Sequence, residues 1–134
     1  ESIDELVPQD HLLRKIDKYI DFDFIYDLVE DRYSTETGRP SIDPVTLIKI
    51  PIIQYMYGIK SMRQTIKEIE VNVAYRWFLG LDFYDKVPLS QHLQKLQEKI
   101  EGTDLFEQIF QRILLQCMKC DLINTDVVFI DATH

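Results

Sequence analysis

The sequence predicts a mainly α-helical protein, a multi-helix bundle that ends in one β-strand. Apolar residues recur at helical spacing in nearly every segment before Asp126, as they do in helices that turn one face to a core. Capping residues, prolines and glycines divide these segments into six or seven helices. Residues 127–130 instead form a short apolar run of β-branched and aromatic side chains, which is typical of a buried strand.

The first two helices are predicted before a turn-rich loop at residues 33–43. Pro8 and Asp10 form the start signal of the first helix. Its apolar residues are Leu12, Leu13, Ile16, Tyr19 and Ile20. Either Asp21 or Asp23 can cap the second helix. The apolar residues of that helix are Phe24, Ile25, Leu28 and Val29.

A buried central helix is predicted at residues 44–57. Asp43 is a strong N-cap residue, and Pro44 suits the first helical position. The helix is apolar almost all round, which predicts burial on every side. Pro51 lies inside it and removes one backbone donor, so we expect a kink or a break there. Gly58 is placed to end the helix as a C′ residue.

Two short helices with a tight junction come next and are similar to a helix-turn-helix in outline. Ser61 and Gln64 fit a capping box for the first, which should extend to about Glu70. Asn72 can cap the second, and Gly80 can end it. The second helix carries Tyr75, Trp77 and Phe78. Such an aromatic cluster favours a core position, although exposed aromatic rings can also stack on bases.

Two further helices and the strand complete the prediction. Pro88 and Ser90 open a helix that Gly102 breaks, and Thr103 caps the last helix. Cys117 and Cys120 lie three residues apart on that last helix. One such pair supplies only two of the four ligands that a structural zinc usually takes. Reduced cysteines in the core or at its edge are therefore favoured, and redox or metal chemistry remains the alternative.

The net charge of −8 argues against generic nucleic-acid binding, which usually needs a basic footprint. The charge is unevenly distributed along the chain. Residues 1–33 hold ten acidic and four basic residues, and residues 81–134 hold nine acidic and five basic residues. Residues 34–80, in contrast, hold four acidic and six basic residues. Only this middle third can therefore attract phosphate.

Four cations of the middle third are candidate DNA-binding residues: Lys60, Arg63, Lys67 and Arg76. Arg63 and Lys67 are four residues apart on one predicted helix, so they share a face. They could form a phosphate-contacting edge of the helix-turn-helix-like pair. The alternative is a solvated face that pairs in part with Glu68 and Glu70. The sequence leaves both interpretations open.

Several motifs follow one another along the chain, at residues 7–13, 33–44, 61–65, 75–81, 87–88 and 129–134. In this order and spacing they resemble the N-terminal part of bacterial insertion-sequence transposases of the DDE type, which have an RNase H-like catalytic domain. The resemblance covers essentially the whole chain. One departure follows residues 87–88, where the family usually carries a strongly basic helix. Residues 89–100 hold only two lysines, Lys95 and Lys99.

The resemblance implies a catalytic and metal-binding role for Asp131, which would be the first carboxylate of the DDE triad. From local sequence alone, Asp131 is equally well an aspartate that turns the chain at the end of strand 126–131. By similarity, residues 1–123 would be a helical DNA-binding and assembly domain, and residues 124–134 would begin the RNase H-like sheet. The intact enzyme would hold two Mg²⁺ (or Mn²⁺) ions about 4 Å apart. One carboxylate cannot hold that pair, so we expect this chain to be inactive by itself.

The resemblance also implies the partners of the protein. These are DNA, specifically the terminal inverted repeats of the mobile element, and further copies of the chain in a homo-oligomer. The location would be the bacterial cytoplasm, on the nucleoid when DNA is bound. No apolar run reaches the roughly 20 residues of a membrane span, and no secretory signal is present, so we expect no membrane partner. The alternative function is a protein–protein dimerisation or regulatory module derived from a truncated transposase, without DNA binding of its own.

Overall fold

A computed structural model describes residues 2–30, 42–100 and 104–123. Within these ranges the chain forms eight α-helices and no strand. The helices are α1 Ile3–Leu6, α2 Leu12–Tyr19, α3 Phe24–Glu30, α4 Pro44–Met56, α5 Met62–Val71, α6 Val73–Leu79, α7 Ser90–Ile100 and α8 Leu105–Lys119. The predicted mainly α-helical fold is therefore confirmed. The predicted strand 126–131 and most of the predicted loop 33–43 lie outside the described residues.

Helix α4 is the centre of the bundle, as predicted. Its N-cap residue Asp43 accepts a hydrogen bond at Oδ1 from the backbone N–H of Val45 at 2.8 Å. Ile48, Ile50, Ile52 and Ile53 have no exposed surface. Since these positions point in different directions around the helix, neighbours must cover it on nearly every side. Those neighbours are α3, α5, α6 and α7.

Of the kink or break predicted at Pro51, the break is wrong, because α4 is continuous through this residue, and the kink stays a prediction. A proline inside a helix removes one backbone hydrogen bond and costs about 3 kcal/mol. The adjacent Ile50 and Ile52 are completely buried. Burying one isoleucine side chain contributes about 1.5–3 kcal/mol, so core packing on both sides of the proline can offset its cost.

Two glycines end helices in the left-handed conformation, as predicted. Gly58 follows α4 with φ 61°, and Gly80 follows α6 with φ 79°. Beyond Gly58, the backbone N–H of Ile59 donates to the carbonyl of Gln54 at 3.0 Å. This bond satisfies a carbonyl that the end of α4 would otherwise leave without a partner. An L side chain at either position would be strained.

The N-terminal helices α1 and α2 pack on α6. Helix α1 is a single turn that the sequence pattern did not predict. Pro8 and Asp10 were the predicted start signal of α2, but its N-cap is His11, whose Nδ1 accepts a hydrogen bond from the backbone N–H of Leu13 at 3.0 Å. Phe22 joins this layer to α6 through an edge-on contact with Phe78, with 5.9 Å between the ring centroids.

The C-terminal helices α7 and α8 cover another side of α4. Tyr55 of α4 meets Phe110 of α8 edge-on, with 5.8 Å between ring centroids. Helix α8 begins after Asp104, whose side chain makes no capping hydrogen bond. The predicted cap Thr103 lies outside the described residues. None of the described helices is both long and apolar enough to cross a membrane.

Candidate nucleic-acid interface

Helix α5 carries two of the four candidate DNA-binding residues, Arg63 and Lys67, and Lys60 lies directly before its N-cap residue. Local contacts fix the orientation of this helix. The Ser61 hydroxyl accepts a hydrogen bond from the backbone N–H of Gln64 at 3.1 Å, which confirms the predicted N-cap. Thr65 is fully buried and donates from Oγ1 to the carbonyl of Ser61 at 2.8 Å. Ile66 and Ile69 are also buried. The opposite face of α5 must therefore point to solvent.

Lys60, Arg63 and Lys67 lie on that outer side, and all three are exposed. Arg63 and Lys67 are four residues apart in α5, so their side chains share one face, and Lys60 lies directly before the N-cap residue Ser61. Within the described part of the chain, no carboxylate lies within 4.0 Å of any of them. The proposed pairing with Glu68 or Glu70 is thus not formed in this structure. We call the three cations the α5 basic face.

Arg76, the fourth candidate, has a different environment. Its Nε donates to the carbonyl of Glu70 at 3.0 Å. One terminal nitrogen donates to the carbonyls of Asp82 and Asp85 at 2.8 and 2.9 Å. The guanidinium therefore holds the turn after α6 against the end of α5. These bonds give Arg76 a structural role, and they do not test its predicted contact with DNA.

Helix α6 is too enclosed to act as a recognition helix. Asn72 Oδ1 accepts a hydrogen bond from the backbone N–H of Tyr75 at 3.0 Å, so the predicted cap is confirmed. However, Tyr75 and Phe78 are buried, and no residue of α6 is exposed. Trp77 is partly buried, and its Nε1 donates to Asp4 at 2.9 Å. The prediction that these aromatic residues belong to the core is confirmed for Tyr75 and Phe78.

An open cavity of about 710 Å³ lies between the end of α2, the start of α4 and the end of α6. Its charged side chains are Asp17, Lys18, Asp21, Asp23, Asp43 and Lys49. Four carboxylates against two ammonium groups give this cavity a negative potential, which disfavours phosphate. The acidic cavity and the α5 basic face are therefore separate surfaces of opposite character.

Lys49 is a buried cation that was not among the predicted site residues, although its place among the isoleucines of an apolar helix already indicated burial. Its Nζ donates to the carbonyl of Phe78 at 2.9 Å and lies 3.4 Å from Asp17. It also lies 4.8 Å from the ring centroid of Phe22. Burial lowers the pKa of Lys49, and the nearby carboxylate of Asp17 opposes that effect.

The phenol of Tyr26 is bonded to the acid that caps α4. Its hydroxyl donates to Asp43 Oδ2 at 2.7 Å. Burial, followed by this hydrogen bond, raises the pKa of Tyr26 to about 12. The bond ties α3 to the N-terminus of α4 and occupies one oxygen of Asp43, so the acidic cavity is partly a structural feature.

The other candidate sites are Asp131 and the cysteine pair, Cys117 and Cys120. Asp131 lies outside the described ranges, so its predicted catalytic and metal-binding role stays a prediction. In residues 2–30, 42–100 and 104–123, no three His, Cys, Asp or Glu side chains are grouped so that they could hold a metal ion. Cys117 is buried and Cys120 exposed, and both are free. Burial raises the pKa of the Cys117 thiol to about 11, which disfavours the reactive thiolate.

Comparison with known proteins gives one family. The family described as Transposase domain (DUF772) matches residues 1–99, which include α1 to α6 and nearly all of α7. No curated protein and no solved structure matches the chain.

Proposed function

The chain belongs to the Transposase domain (DUF772) family, and on this basis we propose that it is the N-terminal DNA-binding and assembly region of a DDE transposase. In this role it would bind the terminal inverted repeats of the mobile element and help to assemble the ends into one complex. The family membership supports a role in transposition. The observation that carries the DNA-binding part is the α5 basic face, which has no carboxylate partner in the described part of the chain.

The free cations matter because the chain as a whole is acidic. A protein with net charge −8 is repelled by DNA at long range unless cations are concentrated on one surface. Lys60, Arg63 and Lys67 provide such a concentration on one exposed side of α5. Each phosphate contact releases counterions from DNA, so three contacts predict a slope of log K against log salt of about −2 to −3.

The proposal is tested by measuring binding of the chain to labelled duplexes of about 25 base pairs between roughly 50 and 200 mM salt. The charge reversal Arg63→Glu/Lys67→Glu should lower the affinity at least tenfold and flatten the salt dependence. A salt slope near zero for the unaltered chain would show that it does not bind DNA through phosphate. Circular dichroism confirms that the variant keeps its helices.

A matched variant separates the α5 basic face from net charge. Lys86→Glu/Lys95→Glu changes the net charge by the same amount at two exposed lysines that are outside α5 in the sequence. We expect this control to weaken binding much less than the reversal on α5. Equal losses in the two variants would assign binding to the overall charge of the chain and remove α5 from the interface.

The catalytic part of the proposal concerns the intact transposase. Asp131 would supply one carboxylate of the DDE triad, and with the others it would hold Mg²⁺ or Mn²⁺ for the cutting and joining of DNA strands. The family match ends at residue 99, so this role rests on the similarity of residues 129–134 alone. Asp131→Ala should abolish strand cutting in the intact protein and leave the binding of DNA by the helical region unchanged.

A second candidate function is a dimerisation or regulatory module without DNA binding. Exposed apolar side chains favour it, because Tyr84 is 97% exposed and Val71 82% exposed. Such residues on a surface mark sites of protein association when they are contiguous. Light scattering tests this alternative directly. A stable dimer with no affinity for duplex DNA at low salt would replace the first proposal with the second.

A further inference from the structure

The outer face of α5 carries a residue that can distinguish DNA sequences. We propose that α5, and not α6, enters the major groove, N-terminal end first, and that Gln64 together with Arg63 contacts base edges while Lys60 and Lys67 contact phosphates. This inference rests on the proposed function, because it requires duplex DNA as the partner. It adds the recognition element, its direction and a residue that sets specificity.

The choice of α5 follows from exposure. In a helix-turn-helix, the second helix normally lies in the major groove and the first crosses the backbone. Here the second helix, α6, has no exposed residue. Tyr75 and Phe78 are buried in the core, and the partly buried Trp77 donates its indole N–H to Asp4. Helix α5, in contrast, exposes Arg63, Gln64 and Lys67. The polar side chains of α6, Arg76 and Trp77, are already hydrogen-bonded within the fold, so the exposed side chains of α5 are the better candidates to reach base edges.

Gln64 has an amide that the fold does not use. In a full capping box, the side chain at this position bonds back to the backbone N–H of the N-cap residue. The structure has only half of that box. The backbone N–H of Gln64 donates to the Ser61 hydroxyl, but the Gln64 side chain makes no hydrogen bond with any described residue. An exposed amide with both a donor and an acceptor matches the N6 and N7 groups of adenine.

Arg63 lies next to Gln64 and is equally exposed. A guanidinium forms two parallel hydrogen bonds with O6 and N7 of guanine, which is the commonest specific contact between a side chain and a base. Lys60 precedes the N-cap residue of α5, and Lys67 lies one turn after Arg63. A lysine ammonium is a compact charge that suits phosphate. The four side chains thus combine two groups suited to bases with two suited to the backbone.

The direction of approach follows from the charges along α5. Lys60 lies just before its N-cap residue and Arg63 in its first turn, beside the positive end of the helix dipole, and Lys67 lies near its middle. Its C-terminal end carries the exposed Glu70, and Arg76 holds the turn of Asp82 and Asp85 against that end. The carboxylates at the C-terminal end would be repelled by phosphate. Helix α5 therefore favours a pose with its N-terminal turns in the groove and its C-terminal end turned away.

Selection from duplexes that contain a random core of about 16 base pairs tests the inference, with the 134-residue chain as the bait. The unaltered chain should enrich a motif. Gln64→Ala should remove the preference at one or two positions of that motif and lower the affinity for the enriched duplex by roughly 5- to 150-fold, as expected for one bidentate base contact. Its affinity for a duplex of shuffled sequence should stay unchanged. The control Gln94→Ala, at an exposed glutamine of α7, should alter neither.

The outcomes distinguish this inference from the function on which it rests. Binding with a clear salt slope but without an enriched motif, or with a motif that Gln64→Ala leaves intact, overturns sequence recognition by α5 and leaves DNA binding in place. No binding to any duplex at about 50 mM salt overturns both. If Arg63→Glu/Lys67→Glu lowers the mass in solution from that of a dimer to that of a monomer and leaves DNA binding unchanged, the α5 basic face is an interface with a second copy of the chain. Gln64→Ala places a strong helix former at an exposed position, so folding is preserved.

Discussion

The cations of this protein fall into two regions with opposite uses. At the junction of α1, α2, α4 and α6, Arg14 and Lys49 are engaged by carbonyls, carboxylates and aromatic rings. On the outer side of α5, Lys60, Arg63 and Lys67 are exposed and have no carboxylate partner among the described residues. Residues 34–80 appear basic as a segment, yet only part of that charge is free to attract a ligand.

Arg14 illustrates the engaged group. Its guanidinium donates to Asp4 Oδ1 at 3.0 Å and to the carbonyl of Val7 at 2.9 Å. It also lies 4.6 Å from the centre of the Trp77 ring. The hydrogen bonds from Trp77 and Arg14 lower the pKa of Asp4. One cation thus fixes α1 to both α2 and α6, which is a structural use that leaves no guanidinium face for DNA.

The largest effect is expected from Lys49→Ala. This variant removes a hydrogen bond from a charged donor to the Phe78 carbonyl and the buried stem of the side chain, which together should cost about 3 kcal/mol of unfolding free energy. Urea unfolding should show a lower midpoint with an unchanged slope. Lys67→Ala, at an exposed lysine of α5, should change the free energy by less than about 0.5 kcal/mol.

Lys49→Met separates the two contributions, because methionine keeps an apolar stem and loses the ammonium. If Lys49→Met lowers the unfolding free energy by about 1–2 kcal/mol, that loss belongs to the ammonium, and the additional loss in Lys49→Ala belongs to the packing of the stem. If Lys49→Met is as stable as the unaltered chain, the ammonium contributes nothing net, and the cost of its desolvation equals the gain from its contacts. In that case the engaged and the exposed cations would differ in their contacts but not in their contribution to the unfolding free energy.

The variants Arg76→Ala and Arg63→Ala compare a hydrogen-bonded arginine with an exposed one. Arg76→Ala removes three hydrogen bonds to backbone carbonyls and should cost about 2 kcal/mol. Arg63→Ala should cost less than about 0.5 kcal/mol and should weaken DNA binding instead. Thermal unfolding and a DNA titration on both variants give the comparison. Equal stability of the two variants would contradict a structural role for Arg76.

The contrast between these two arginines shows what the sequence could predict and what it could not. Caps and stops are local signals, and Asp43, Ser61, Asn72 and Gly80 were placed correctly because each acts on residues within one turn. The role of Arg76 depends on a chain that folds back nine residues later. No local pattern contains that contact, so the sequence could not distinguish Arg76 from the other three candidate DNA-binding residues.

The break predicted at Pro51 is absent for the same kind of reason. The cost of a proline in a helix is local, but the packing that offsets it comes from helices far along the chain. Gln64 shows the reverse case. The capping box was predicted from two residues, and the structure forms only the bond from Gln64 N to the serine hydroxyl. The unused amide became visible only when exposure and hydrogen bonds were known.

Removing the N-cap of α5 should have a smaller effect on stability than the lysine and arginine variants. Ser61→Ala removes the acceptor for the Gln64 N–H and should cost about 1 kcal/mol. Because the first turn of α5 positions Arg63 and Gln64, the same variant should reduce DNA affinity modestly although no cation is lost. Ser61→Thr keeps the hydroxyl and is the control. If DNA affinity is unchanged when stability falls, the cap does not position the α5 basic face.

The smallest effect concerns alkaline pH and again contrasts an engaged group with a free one. The pKa of Tyr26 is raised from 10.0 to about 12 by burial and by its bond to Asp43. Between these values the unfolded chain has lost the phenolic proton and the folded chain keeps it, so the stability that Tyr26 contributes is complete below pH 10 and is lost as pH rises to 12. Tyr26→Phe should reduce the fall in urea midpoint across this range. Tyr84→Phe, at a tyrosine that is 97% exposed, should leave the fall unchanged, and equal effects of the two variants would contradict the contact with Asp43.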